Sequence, residues 1–161
     1  MGKSLIQQRK GKGTSTFRAP SFRYFGKAKN KTFGKEGAGK IVELVKCPGH
    51  SAPLAVVEYE DGEITTEIAA DGIEVGRSIS SAEKSNVAVG NTLPLKNIPE
   101  GTEIYNIECQ PGDGGKFVRS AGGFARVFAK MKNKVIVLLP SKKKKVLWLL
   151  SLKILNSPVF F

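Results

Sequence analysis

All 14 acidic residues of this 161-residue chain fall between Glu36 and Asp113. The 35 residues before them carry 10 Lys and Arg, and the residues after 115 carry 11, with no counter-charge in either block. The three segments therefore hold net charges of +10, −9 and +11. A block of like charge repels itself until something of opposite sign is supplied from outside. The chain is thus an acidic module flanked by two basic blocks. Its two ends are built to meet a polyanion. The length allows one ordinary domain or two small ones.

The middle reads as short strands punctuated by turns. Lys40–Lys46, Leu54–Glu60, Glu63–Ala69, Ile73–Ile79 and Asn91–Lys96 each alternate apolar and polar residues or carry β-branched ones. Cys47-Pro48-Gly49-His50 and Asp71-Gly72 are turn sequences, and Asp61-Gly62 between alternating flanks is a hairpin signal. Five short strands without a helical period predict an antiparallel barrel of the OB type. After a linker at Asn97–Gly101, a second set follows at Thr102–Cys109, Gly115–Ser120, Gly123–Met131 and Asn133–Leu139. It predicts the start of a second small barrel.

Chemistry concentrates between Gln110 and Lys145. Gly114-Gly115 and Gly122-Gly123 lack side chains, so a second backbone can come close there. Lys116, Arg119 and Arg126 sit beside them, and four lysines, Lys142, Lys143, Lys144 and Lys145, close the stretch. Cations projecting from glycine-jointed extended segments suit a folded phosphate backbone better than a small-molecule cleft. At the other end, Met1–Lys35 has no period and interleaves aromatics with cations. Its candidates for RNA contact are Arg9, Lys10, Lys12, Arg18, Arg23, Tyr24, Phe25 and Lys27. Guanidinium groups pair with phosphates, and aromatics stack on bases. Such a segment buries too little apolar surface to offset its ordering entropy, so it is expected to be disordered until RNA orders it.

Taken together, four stretches resemble the L2 family of large-subunit ribosomal proteins, in its archaeal form. They are Arg18-Ala-Pro-Ser-Phe-Arg23, His50-Ser-Ala-Pro-Leu-Ala55, Gly90-Asn-Thr-Leu-Pro-Leu95 and Gly112 through Ala125, the last with Ser120-Ala-Gly-Gly123. The resemblance runs from residue 1 to about Lys145. It implies an all-β protein: a basic RNA-binding extension (1–36), an OB-fold barrel (37–97) and a partial SH3-like barrel (98–161). It implies a structural constituent of the cytoplasmic large subunit, bound to large-subunit rRNA and neighbouring ribosomal proteins. Support for assembly, subunit association and the peptidyl transferase region goes with that. The expected RNA-binding set also takes in His50, Ser120, Gly122 and Gly123, which lie in these stretches, and Arg77. Family members continue past the lysine run into a second glycine-rich, basic extension bearing a histidine. Val146 onward is unlike that, so the chain is expected to be truncated, with the second barrel unclosed.

Other functions are weaker. A free-standing OB/SH3 nucleic-acid-binding protein, such as a translation factor, is the alternative, but a soluble factor has little use for a long basic arm. His50 is the only histidine, and Cys47-x-x-His50 lacks a third and fourth metal ligand. No cofactor or metal is expected. Glu58, Glu60, Asp61 and Glu63 around one hairpin read as a solvated strand face rather than an acid–base pair. Gly112-x-Gly114-Gly115-Lys116 lacks the spacing of a nucleotide-binding loop. The apolar run Val146–Leu152 is too short to span a bilayer. No enzyme, membrane anchor or small-molecule substrate is expected. Two cysteines, Cys47 and Cys109, read as thiols rather than a disulfide framework.

Overall fold

The computed structural model describes residues 10–31 and 36–155. Among these residues ten strands run in chain order: β1 Gly37–Val45, β2 Leu54–Tyr59, β3 Ile64–Ile68, β4 Ser78–Ser81, β5 Thr92–Pro94, β6 Glu103–Tyr105, β7 Ala125–Lys130, β8 Lys134–Leu138, β9 Lys144–Trp148 and β10 Leu152–Leu155. Three single 3-10 turns, at Ser15–Phe17, Ser21–Arg23 and Leu95–Asn97, are added to them. The strand order is β3-β2-β1-β4-β5-β10-β6-β7-β8-β9. All pairings are antiparallel except the single-residue contact of Ser81 with Thr92 between β4 and β5. This is the all-β architecture expected, an OB-type barrel followed by an SH3-like one. No helix among the described residues is long and apolar enough to cross a membrane.

Local chemistry explains the strand ends. The β2–β3 hairpin closes where expected, but through three residues. Gly62 N–H reaches Tyr59 O at 2.9 Å and Tyr59 N–H reaches Glu63 O at 3.0 Å. Gly62 adopts φ +76°, which makes a type I turn with a glycine bulge. The expected strand at Ile73–Ile79 is mostly turn. Gly76, at φ +88°, donates to Ile41 O while Ile41 N–H donates to Arg77 O, at the point where β1 shifts register. Only from Ser78 does the segment pair with β1. The expected strand at Gly115–Ser120 reduces to one bridge, Ile107 with Phe117. There Asn106 (φ +49°) and Val118 (φ +55°) hold left-handed backbone that no ladder can continue.

Two features of the second half depend on distant partners. The residues after Lys145, unlike the family's own continuation, still add pairing to the second barrel, while β9 ends the strand order. Lys144–Trp148 pairs with β8, and β10 lies between β5 and β6, with Leu152 opposite Pro94 and Ile154 opposite Tyr105. The stretch Asn91–Lys96, read as the fifth strand of the first barrel, sends its leucines to the second. Leu93 and Leu95 pack with Ile98, Ile104, Ile107, Val127, Val135, Val137 and Leu147. A separate cluster of Ile41, Ala55, Val57, Tyr59 and Ile79 fills the first barrel. Ala28, Cys47, Leu54, Ile68, Tyr105 and Ile154 join the two.

Candidate nucleic-acid interface

Three pieces of chain converge at this junction: the basic N-terminal segment, the Cys47–Ser51 turn, and the loop from Asn106 to Gly123. The first is anchored at its end. Lys29 N–H donates to Thr66 O at 2.8 Å, Asn30 N–H to Gly114 O at 3.4 Å, and the amides of Asn30 and Asn106 pair. Ala28, Asn30 and Lys31 are buried. Four residues of the block expected to order only on RNA are thus part of the fold. Lys10, Lys12, Arg18, Arg23, Tyr24, Phe25 and Lys27 precede this anchor and are exposed, and no ion pair ties these cations to an acid among the described residues. Arg9 lies outside the described residues.

Lys31 shows why the anchor holds. Its buried ammonium donates to Asp61 Oδ2 at 2.8 Å and lies 3.9 Å from the centre of the Tyr59 ring. Tyr59 in turn donates to Glu67 Oε1 at 2.8 Å. The hydrogen bond from Lys31 and that from Glu63 N–H hold the Asp61 carboxyl below its usual range. Burial pushes Glu67 up, against the hydrogen bonds from Tyr59 and Thr65. Burial and the Glu67 charge push the Tyr59 phenol far up, so it stays a donor. Of the carboxylates read as a solvated face, Glu58 and Glu60 are exposed, whereas Asp61 is committed to Lys31.

The Cys47 turn carries the next pieces. The Tyr24 ring lies against Gly49, where an added Cβ would sit 3.0 Å from ring carbons. Cys47 is buried. Its desolvation works to raise the thiol, but backbone N–H groups of Phe25, Gly49, Gly26 and His50 together hold it below the ordinary value. His50 N–H closes the turn on Cys47 O at 3.0 Å. The imidazole is half-buried, and its Nδ1 faces no hydrogen-bond partner. Among the described residues no group of three or more His, Cys, Asp or Glu is placed to hold a metal. Both cysteines are free thiols.

Ser51, just beyond, takes the loop. Ala121 N–H donates to Ser51 Oγ at 3.1 Å, and Gly123 N–H closes on Ser120 O at 3.1 Å. This turn lines a cavity of about 560 Å³ together with Ala52–Pro53 and Ile68–Ile73.

The two glycine pairs do different things. Gly115, at φ +95°, is pressed so close to Asn106 that an added Cβ would lie 2.2 Å from its Oδ1, and Gly114 packs on Lys29. That pair admits the protein's own anchor, not a second molecule. Gly122, at φ +67°, faces open space, and Gly123 packs on Ser120 within the turn. The N–H groups of Gly112 and Gly114 donate to Glu108, and that of Gly115 to Asp113. They are therefore taken by the chain's own carboxylates before any phosphate could use them.

Arg119 and Arg126 also diverge. Arg119 spends Nη2 on Ala28 O at 2.9 Å and Nη1 on Gly115 O at 3.3 Å. Arg126 is exposed, pairs with Glu103 Oε1 at 2.8 Å across β6 and β7, and lies over Phe124. Lys145 rests its ammonium 4.3 Å from the Phe117 ring, next to the exposed Lys116. Lys142 (φ +61°) and Lys143 form the exposed β8–β9 turn, and Lys144 begins β9. Arg77 stands apart at the β1–β4 junction, exposed. Asn30, Lys31, Ser51 and Asn106 were not singled out from sequence. None carries a local signal beyond being polar, and their roles depend on partners up to 76 residues away.

Comparison with known proteins decides the family. The model for the RNA-binding N-terminal domain of ribosomal proteins L2 matches residues 2–81, and that for the L2 C-terminal domain matches 88–150. The chain belongs to the ribosomal protein L2 family. The second match extends five residues past Lys145, into β9 and the turn after it. Large ribosomal subunit protein uL2 of Methanothermobacter thermautotrophicus is 43% identical over 152 residues, covering 91% of this chain and 63% of that protein. The proteins of the same name from Archaeoglobus fulgidus and Methanopyrus kandleri are 44% and 45% identical. They share 90% and 89% of this chain with 62% and 61% of their own lengths. The chain thus spans just under two thirds of these curated L2 relatives.

Proposed function

We propose that this chain binds large-subunit ribosomal RNA as a structural, non-catalytic constituent of the cytoplasmic large subunit, where it supports assembly beside neighbouring ribosomal proteins. The observation that carries this reading is the anchored arm. Ala28–Lys31 is fixed between Thr66, Gly114 and Arg119, while the cations from Lys10 to Lys27 are exposed without acidic partners. A protein that orders the root of a basic arm and leaves its cations unmatched is arranged to deliver them to a polyanion. The name shared by its relatives favours the ribosome over a free-standing factor.

On this reading the extension is 1–36, the OB-type unit 37–97 and the SH3-like unit 98–161, with Leu93 and Leu95 crossing to the second core. Contacts to RNA come from Arg9, Lys10, Lys12, Arg18, Arg23, Tyr24, Phe25 and Lys27 on the arm, and from His50 and Arg77. The remainder are Lys116, Arg119, Ser120, Gly122, Gly123, Arg126 and Lys142 through Lys145. The test is binding of the full chain to fragments of large-subunit rRNA in competition with bulk tRNA. Preference for a large-subunit fragment at 150 mM salt supports the reading. Equal affinity for both, or failure to co-sediment with large subunits, sinks it.

A further inference from the structure

We propose that the groove beside Trp148 receives an unstacked base of single-stranded RNA. The proposal rests on the RNA-binding reading and adds to it a surface on the opposite end of the strand order from the arm's Thr66 anchor on β3. A sheet face turned to water is ordinarily polar. Here Trp148 and Val146 on β9 are 55% and 51% exposed, and Phe128 on β7 is 50% exposed. Trp148 and Val146 are two residues apart on one strand and so share that face. Beside Trp148 opens a groove of about 570 Å³, lined also by Leu149, Leu150, Gln110, Pro111 and Asn133.

The lining suits a base. One wall is an indole with aliphatic neighbours, a surface for stacking. Gln110 and Asn133 bring amides, each both donor and acceptor, which can meet a base edge.

Charge identifies the occupant as a polyanion. Residues 116–155 contain no Asp or Glu. Lys134, opposite Trp148 in the ladder, holds its ammonium 5.9 Å from the indole, and Lys144 lies 3.9 Å from the Phe128 ring. A base that stacks on the indole displaces an ammonium to where the adjoining phosphate follows. Asp113, the acid next to the Gln110 turn, already accepts from the N–H groups of Cys109 and Gln110. Duplex RNA is excluded as occupant because its bases stack on one another and are not offered to an aromatic wall.

Trp148 is the only tryptophan, so its fluorescence reports on this groove alone. The full chain is titrated with an unstructured RNA dodecamer and with a duplex of the same length. Binding is followed in parallel by anisotropy of labelled RNA. The single strand quenches Trp148 saturably and the duplex does not. Trp148→Ala weakens single-strand binding roughly tenfold and leaves duplex binding unchanged, whereas Trp148→Phe restores most of the loss. Single-strand binding with unchanged emission overturns the proposal alone. Equal quenching by polyglutamate overturns it in favour of an acidic protein partner. Failure of both RNAs to bind overturns the RNA-binding reading along with it.

Discussion

Lys31 donates to Asp61 across 2.8 Å from a side chain with no solvent exposure, while the carboxylate that receives it is 43% exposed. The asymmetry sets which partner can be lost. Removing Asp61 strands a buried ammonium, and its desolvation is then uncompensated. Removing the ammonium but keeping its aliphatic bulk leaves Asp61 free to hydrate. Lys31→Met should therefore stay within about 1 kcal/mol of the parent, whereas Asp61→Asn should cost clearly more. Urea unfolding of both variants decides it, and equal losses would mean that burial of the Lys31 ammonium does not set this asymmetry.

The same node predicts a pH dependence of two signs. Asp61 is depressed in the fold, so its contribution is complete above the unfolded aspartate value near 3.9 and is lost as pH falls through the folded pKa. Glu67 is raised, mainly by burial, so the folded state binds the extra proton. Its contribution is complete below the unfolded glutamate value near 4.3 and is lost as pH rises through the folded pKa. Glu67→Gln should flatten the fall in stability above about pH 4.3, in which range the parent weakens. Chemical denaturation at several pH values measures this. A parent whose stability climbs across that range, with the variant parallel to it, would contradict the assignment.

The strands of the β2–β3 and β7–β8 hairpins were legible because their pairing is local. β2, β3, β7 and β8 fall within two residues of their alternating patterns, and the Asp61-Gly62 turn is where its sequence puts it. What was not legible depends on distant partners. Nothing near Lys31 says that it is buried, since the ring and carboxylate that receive it are 28 and 30 residues on. The lysine run reads as a charge block waiting for a polyanion, yet Lys144 and Lys145 lie in β9, where β8 supplies a ladder and the Phe128 and Phe117 rings supply cation–π contacts. Likewise the two glycine pairs look alike in sequence. Only the fold reveals that Gly115 faces Asn106 and Gly122 faces solvent.

That contrast gives a paired test. Alanine at Gly115 meets both left-handed backbone strain and the Asn106 carbonyl oxygens, so Gly115→Ala should cost about 3 kcal/mol. Alanine at Gly122 meets only the strain, about 1 kcal/mol. If Gly122 is where the backbone approaches RNA, Gly122→Ala should lower RNA affinity by more than its small stability loss explains. Thermal melts alongside RNA titrations separate the two effects, and a Gly122→Ala protein with parental affinity removes that turn from the interface.

Amide exchange of the free chain tests the boundary of the arm. Lys29 N–H is bonded to Thr66 O inside the fold and should exchange orders of magnitude more slowly than the amides of Lys10, Lys12 and Lys27. Uniformly fast exchange through Lys31 would mean that the anchor forms only on RNA.

Arg119 and Arg126 are both proposed to touch phosphate, and their surroundings predict different side effects. Each lost contact to phosphate should reduce the slope of log K against log salt by about 0.7 to 0.9. Arg126 is exposed and its ion pair is with Glu103 on a neighbouring strand, so Arg126→Gln should change stability by less than about 1 kcal/mol. Arg119 additionally ties Ala28 O to the glycine loop, and Arg119→Gln leaves that carbonyl without its charged donor, a loss of about 1.5 to 3 kcal/mol. Salt-dependent RNA binding and urea unfolding, run on both variants, give four numbers. A reduced slope for both with lost stability only for Arg119 is the expected pattern. Lost stability with an unchanged slope would make Arg119 a clamp for the arm and nothing more, and an unchanged slope for Arg126 would take β7 out of the phosphate-binding surface.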